Sequence, residues 1–151
     1  MILTLEKPAE RTGLVIERLS PDESVAADEL AARCGAGVRF DLVPIVQLAA
    51  HEPDSGQLIG VAECFRTFPP EDAIGSVYVD PDARGQGVGA ALLRALMAAA
   101  SRSGKRTLSM FVADDQLAAW GLLRSAGALV RAHEVEGGIY VEVDLVSSRQ
   151  S

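Results

Sequence analysis

The chain is poor in cysteine. Cys34 and Cys64 are the only two, and they do not form a C-x-x-C pair. Two isolated cysteines supply neither the ligands of a typical zinc site nor a disulfide framework. We therefore expect no metal centre, and we expect both thiols to be small buried hydrophobic groups.

Long apolar runs are also missing. No segment approaches the roughly 18 apolar residues that a membrane span needs, and the most apolar one, residues 88–100, is interrupted by Arg94. Residues 1–11 contain Glu6 and Glu10 and lack the basic start and apolar stretch of a signal peptide. We therefore expect no membrane partner and a cytoplasmic location.

Positive charge is in the minority. The chain has 21 Asp and Glu against 14 Lys and Arg, so its net charge is −7. Such a chain repels nucleic acid, which we do not expect as a partner, and it mildly favours a cationic partner such as an amine. Hydrophobic residues make up 48% of the chain, which excludes a disordered protein. A length of 151 residues predicts one domain over residues 1–151, with an N-terminal extension of about residues 1–11 and a C-terminal tail of about residues 147–151.

Apolar periodicity predicts alternating strands and helices. The segment Ser20-Pro21-Asp22-Glu23 has the spacing of a capping box and predicts a helix as far as about Cys34. Two further helices are predicted from Val88 to about Arg102 and over about residues 115–126. Strands are predicted over residues 13–19, 42–50, 58–68, 73–79, 107–112, 128–135 and 139–146. The order β-α-β-β-β-α-β-α-β-β predicts a mixed α/β fold in which helices cover a twisted sheet.

Residues 77–93, VYVDPDARGQGVGAALL, are the most informative stretch of the chain. They predict a strand, a glycine-rich turn and the first turns of a helix. Gly85, Gly87 and Gly89 allow a ligand to approach the backbone closely. The helix start offers unpaired N–H groups and the positive end of its dipole, and Arg84 adds a planar fork of donors. Together these features predict a pyrophosphate site.

A Walker loop is excluded as the explanation of this motif. That loop requires Lys followed by Ser or Thr after its last glycine. Here Ala90 and Ala91 follow Gly89.

A dinucleotide fingerprint is a weaker match. Gly85, Gly87 and Ala90 fit its G-x-G-x-x-G/A spacing formally. However, residues 80–84 separate the glycines from the preceding strand, and the next strand, residues 107–112, carries no acid for a ribose.

The pattern R/Q-x-x-G-x-G fits best, and it resembles the acyl-CoA loop of the GNAT N-acyltransferase superfamily. Arg84, Gly87 and Gly89 occupy the motif positions, and the V-x-V of residues 77–79 precedes them. The order of elements resembles the GNAT fold over nearly the whole chain, which implies a mixed, mostly antiparallel twisted sheet flanked by helices. The ending, residues 136–145, looks like the last hairpin of acetyltransferase domains in bacterial protein-lysine acetyltransferases.

The resemblance implies an enzyme that transfers an acetyl group from acetyl-CoA, without a metal, to a primary amine of a small molecule or to a protein lysine. It also allows a homodimer, because dimers are common in the family. The cofactor-binding residues that it implies are Val77, Tyr78 and Val79 beside the pantetheine arm, and Arg84, Gly85, Gln86, Gly87, Val88, Gly89 and Ala90 around the pyrophosphate.

Two catalytic side chains that are usual in the family are missing. The glutamate on the strand before the loop falls at Ile74, and the tyrosine that acts as general acid falls at Leu123. These absences leave a second function open, a non-catalytic CoA-binding sensor or interaction domain that has lost the acid and the base.

Glu63 and Tyr78 are the remaining catalytic candidates. Glu63 shares a strand face with Val61 and Phe65, and it is a candidate general base, directly or through water. Tyr78 points where the family's glutamate would, and it is a candidate donor to a thiolate or to a water. The structural alternatives are a carboxylate at the sheet margin, paired with an arginine, and an aromatic wall of the core or cleft.

Overall fold

A computed structural model describes residues 13–34, 43–113 and 129–145. These residues form a seven-stranded sheet and two α-helices. The helices are α1 (Ser24–Arg33) and α2 (Val88–Arg102). The strands are β1 (Val15–Arg18), β2 (Pro44–His51), β3 (Leu58–Arg66), β4 (Asp72–Val79), β5 (Thr107–Ala113), β6 (Leu129–Val135) and β7 (Gly138–Asp144).

The strand order in the sheet is β1-β2-β3-β4-β5-β7-β6. Every neighbouring pair is antiparallel except β4 and β5, which are parallel. The sequence predicts a mixed, mostly antiparallel sheet flanked by helices, and the structure confirms that fold class.

The two helices cover opposite faces of the sheet. Leu30 of α1 packs with Val61 of β3 in one buried cluster. The next residue back along β3, Gly60, faces Leu92 of α2. Because successive residues of a strand point to opposite faces, α1 and α2 lie on different sides of β3.

Helix α2 lies close to the sheet because two strand glycines leave room for it. A Cβ atom at Gly60 would lie 2.7 Å from Leu92 Cδ1 of α2. One at Gly75 would lie 3.4 Å from Leu96 Cδ2 of α2 and 2.9 Å from Leu108 Cδ1 of β5. The helix buries Leu92 and Leu96 completely on this side, and each fully buried leucine contributes about 1.5–3 kcal/mol of transfer free energy. This packing fixes the position of the helix start, which the candidate site depends on.

The capping box predicted before α1 is present. Ser20 Oγ accepts a hydrogen bond from the Asp22 N–H at 3.3 Å, and Glu23 Oε1 accepts one from the Ser20 N–H at 3.2 Å. Residues 21–23 form a 3-10 turn before the α-helix begins, which the sequence pattern does not distinguish from a first α-helical turn.

The remaining differences from the predicted elements lie at the ends of strands and in segments outside the described residues. Strand β3 ends at Arg66 rather than Phe68, whose ring is exposed before two prolines. The predicted helix over residues 115–126 and both chain termini lie outside the described residues. In the described ranges, neither helix has the length and apolarity to cross a membrane.

Candidate functional site

Strands β4 and β5 separate part of the way along their length. Their pairing runs from Asp72 with Thr107 to Gly75 with Met110 and stops there. Strand β4 continues to Val79 and β5 to Ala113. In the described part of the chain no other strand fills this space, so a gap opens between two parallel strands.

The hydrogen-bonding groups of two valines line this gap. The Asp80 N–H donates to the Ile59 carbonyl of the β3 side at 2.9 Å. Because peptide groups of alternate residues in a strand point to opposite sides, those of Val77 and Val79 point away from β3 and toward the gap. An extended ligand with amide groups can bind to such a strand edge as an added strand does.

A short turn follows β4 and is fixed by a buried carboxylate. Asp80 Oδ1 accepts a hydrogen bond from the Asp82 N–H at 2.9 Å. Its other oxygen, Oδ2, forms an ion pair with Arg33 Nη2 at 2.8 Å. The carboxylate therefore joins the last turn of α1 to the segment that leads into the glycine-rich loop.

The N-terminus of α2 has free donors. Gly87 is the N-cap residue, with φ 82°, and it provides no side-chain hydrogen bond. The first N–H that bonds to the N-cap carbonyl is that of Ala91, at 3.1 Å to the Gly87 carbonyl. The N–H groups of Val88, Gly89 and Ala90 have no intrahelical acceptor for this reason. They point out of the positive end of the helix dipole, which favours an anion.

The backbone of the turn does not account for the glycine at position 89. Gly85 and Gly87 have positive φ angles of 79° and 82°, so the turn itself accounts for them. Gly89 is helical, and a Cβ atom there would meet only Val79 Cγ2, at an ordinary 3.5 Å. Neither the bend nor the packing of the described residues requires a glycine at position 89. The missing side chain leaves the helix backbone open to close approach by a ligand.

Arg84 places a positive charge at the start of the loop. Its Nε donates to the Val79 carbonyl at 3.3 Å, while the side chain is exposed. Cys34 Sγ donates to the same carbonyl at 3.3 Å. Cys34 is half-buried rather than buried as the sequence predicts. Gln86, the remaining predicted loop residue, is exposed.

Glu63 is buried in the middle of the sheet. Its side chain is 1% exposed, and its Oε2 accepts a hydrogen bond from Gln47 Nε2 of β2 at 2.7 Å. The carboxylate therefore does not lie at the sheet margin, and one of its partners is the Gln47 amide.

Tyr78 lies on the same sheet face as Glu63. The register pairs Glu63 with Ser76 and Val61 with Tyr78. The Tyr78 ring is half-buried and packs against a cluster that includes Leu30 of α1. The ring therefore forms part of the wall of the core, which is the structural alternative that the sequence leaves open for Tyr78.

Three members of the site are not recognisable from sequence. Gln47 and Ser76 join Glu63 only through the strand register, and Arg33 reaches Asp80 only because α1 packs over the end of β4. Over residues 13–34, 43–113 and 129–145, no group of three or more His, Cys, Asp and Glu is placed to hold a metal ion.

The fold and the loop define an α/β protein in which a helix start that favours an anion lies beside a strand gap. The acetyltransferase (GNAT) family model matches residues 16–128. Because this match covers most of the chain, the protein belongs to the acetyltransferase (GNAT) family, whose activity is acyl transfer from acetyl-CoA. A search of the curated proteins gave no match.

Solved structures with the same fold include several N-acetyltransferases. An N-acetyltransferase from Staphylococcus aureus Mu50 is 18% identical, with 89% of this chain and 99% of that chain covered and a TM-score of 0.69. The ribosomal-protein-S18-alanine N-acetyltransferase from Escherichia coli is 20% identical, with 87% of this chain and 94% of that chain covered and a TM-score of 0.68. A phosphinothricin acetyltransferase of the GNAT superfamily from Sinorhizobium meliloti, solved with acetyl-CoA, is 17% identical, with 87% and 86% covered and a TM-score of 0.67.

Proposed function

We propose that this protein is an acetyl-CoA-dependent N-acetyltransferase that acts on a primary amine. One observation carries the proposal: a strand gap lined by peptide groups leads directly into a helix start with free N–H groups. Pantetheine is an extended chain with amides, and it ends in a pyrophosphate. Val77, Tyr78 and Val79 would lie beside the pantetheine, and residues 84–90 would hold the phosphates.

The residues present fit that ligand chemically. The Val77 peptide group faces the gap and can form hydrogen bonds with an amide of the ligand, as neighbouring strands do with each other. The helix start and the Arg84 guanidinium supply donors and positive charge to phosphate oxygens. Gly89 supplies the close approach that the fold itself does not need.

The acceptor approaches from the face that carries α1. On the α2 face, Leu108 of β5 and Val141 of β7 are fully buried beneath the helix. On the opposite face, Phe111 is 49% exposed and Tyr140 is half-buried. Since the α2 side is closed by packing, an amine reaches the gap over Phe111. The net charge of −7 attracts a cationic acceptor.

The amine has to lose a proton before it reacts. A free alkylamine has a pKa near ~10.4, so it arrives as an ammonium ion. We propose Glu63 as the general base that receives this proton and Tyr78 as a donor to the leaving sulfur. Holding amine and thioester together supplies much of the remaining acceleration. The proposal keeps the cytoplasmic location that the sequence predicts.

Release of free CoA thiol tests the proposal. The amines should include a lysine peptide, a peptide with a free N-terminus and small amines, because the relatives' names include both a ribosomal-protein acetyltransferase and a phosphinothricin acetyltransferase. We expect amine-dependent thiol release, and we expect the double variant Arg84→Ala, Gly87→Glu to lose acetyl-CoA binding through added charge and bulk. Acetyl-CoA binding without thiol release for any amine would instead support the non-catalytic CoA-binding domain.

A further inference from the structure

Ser76 carries a buried hydroxyl that has no hydrogen-bond partner among the described residues. Its Oγ is buried and forms no hydrogen bond within the described residues. A buried polar group left unpaired costs about 1–3 kcal/mol, so such a group indicates a bound water or ligand. Ser76 is also the first residue of β4 beyond the last pair with β5, Gly75 with Met110. The hydroxyl therefore lies at the closed end of the strand gap.

The strand register places a carboxylate opposite this hydroxyl. Ser76 of β4 pairs with Glu63 of β3, which pairs with Gln47 of β2, so the three side chains share one sheet face. Gln47 Nε2 holds Glu63 Oε2 at 2.7 Å, and Ser76 Oγ does not bond directly to the carboxylate. Directly opposed residues have Cβ atoms about 4.5–5.5 Å apart. One water with two hydrogen bonds of ~2.8 Å spans such a separation.

We propose that Ser76 is a positioning residue that holds a water between its Oγ and the Glu63 carboxylate, and that this water takes the proton from the acceptor amine. The inference rests on the proposed acetyltransferase function and deepens it. Glu63 then acts through the water, which resolves how a side chain that is 1% exposed can serve an amine in the gap.

The proton balance is complete with the groups named. The ammonium gives one proton to the water, which passes one to the Glu63 carboxylate. The amine nitrogen then bonds to the thioester carbonyl carbon, and the carbon–sulfur bond breaks. The leaving thiolate takes a proton from the Tyr78 hydroxyl and departs as CoA thiol, and the second proton of the nitrogen restores the hydroxyl. Glu63 returns its proton to solvent, so each turnover releases one amide, one thiol and one proton.

A pair of variants with the same shape tests the hydroxyl. Thr and Val at position 76 add the same volume to β4, and only Thr keeps the hydroxyl. We expect Ser76→Thr to retain most of kcat and Ser76→Val to lose ~10- to 100-fold at pH 7, which is less than the ~100- to 10,000-fold of a complete general-base effect because Glu63 is still present. The KM for acetyl-CoA should be the same in both. The deficit of Ser76→Val should close as the pH approaches the amine pKa of ~10.4, because the free amine then needs no base. Equal kcat for the two variants, or a deficit independent of pH, overturns the proposal.

A crystal structure of the acetyl-CoA complex gives a readout that does not depend on turnover. The proposal expects an ordered water bonded to both Ser76 Oγ and the Glu63 carboxylate in the parent, retained in Ser76→Thr and lost in Ser76→Val. A parent complex without a water at that position, or with a direct hydrogen bond between the two side chains, overturns only the proposed transfer of the proton through a water held by Ser76. A parent that binds acetyl-CoA but acetylates no amine overturns the acetyltransferase function together with the relay, so the two failures are distinguishable.

Discussion

Replacing Gly89 by alanine should change stability and ligand affinity in opposite directions. Gly89 lies in the first turn of α2 without a positive φ, and its new Cβ would have an ordinary 3.5 Å contact with Val79 Cγ2. Alanine in place of a compatible glycine stabilises a protein by about 0.4–1 kcal/mol, chiefly by restricting the unfolded chain. For a chain of this size, that stabilisation raises Tm by roughly 1–4 °C.

The same methyl group should weaken acetyl-CoA binding. If a phosphate lies against the Gly89 backbone, the methyl occupies contact space, and overpacking of this kind costs about 1–3 kcal/mol. That cost corresponds to roughly a 5- to 150-fold increase in Kd. Thermal unfolding without ligand and calorimetric titration with acetyl-CoA measure the two effects separately.

Gly104→Ala provides the matched control for this experiment. Gly104 follows the other end of α2 with φ 87° and open space around its Cβ position. Alanine there should lower stability by about 1–2 kcal/mol through the left-handed backbone and leave the Kd for acetyl-CoA unchanged. A Gly89→Ala protein that is more stable and binds acetyl-CoA as tightly as the parent would refute the assignment of Gly89 to ligand contact.

Three further predictions concern charged side chains. Arg84→Ala should raise the Kd for acetyl-CoA, and its stability should stay within about 0.5 kcal/mol of the parent because the side chain is exposed. Arg102→Ala, at the far end of α2, should leave binding unchanged. Equal Kd values for the two variants in calorimetry would contradict the loop assignment. Glu63→Gln should lower kcat at pH 7 by ~100-fold or more without altering the Kd for acetyl-CoA, and parental rates in a thiol-release assay would exclude Glu63 as the base. The hydrogen bond from His51 Nε2, 2.7 Å away, lowers the pKa of Glu23 below its usual 4.5. The stability that this bond contributes should therefore be present above pH 4.5 and be lost as the pH falls through the lowered folded-state pKa. Glu23→Gln, which keeps the capping acceptor, should be less stable than the parent at pH 7 and equal to it in acid. A stability difference independent of pH would argue against a contribution from the hydrogen bond between His51 and the Glu23 carboxylate.

The fold and the loop could be predicted from sequence because both are encoded locally. The capping residues Ser20 and Glu23 mark the start of a helical segment within four positions. The glycine spacing after β4 determines the turn and the helix start through backbone geometry alone. Such signals do not depend on which strands become neighbours.

Glu63 could be predicted as a candidate base, but its neighbours Gln47 and Ser76 could not, because their position beside it depends on long-range register. Glu63 is 16 positions from Gln47 and 13 positions from Ser76 in the sequence. A shift of one residue in either strand pairing would send Glu63 to the other face. The resemblance indicates a base at the position of Ile74, where the structure has an apolar strand residue paired with Phe65 and Ser109. Buried polar partners become visible only once the register is known.

Calorimetric titration of the parent protein with acetyl-CoA, with NAD and ATP as comparison ligands, tests the central claim most directly. We expect saturable binding of acetyl-CoA and no binding of NAD or ATP at the same concentrations. We also expect that acetyl-CoA at a hundred times its Kd adds about 2.7 kcal/mol to the free energy of unfolding. Absence of acetyl-CoA binding, or binding of NAD in its place, would contradict the assignment of the strand gap and the glycine-rich loop to an acyl-CoA site.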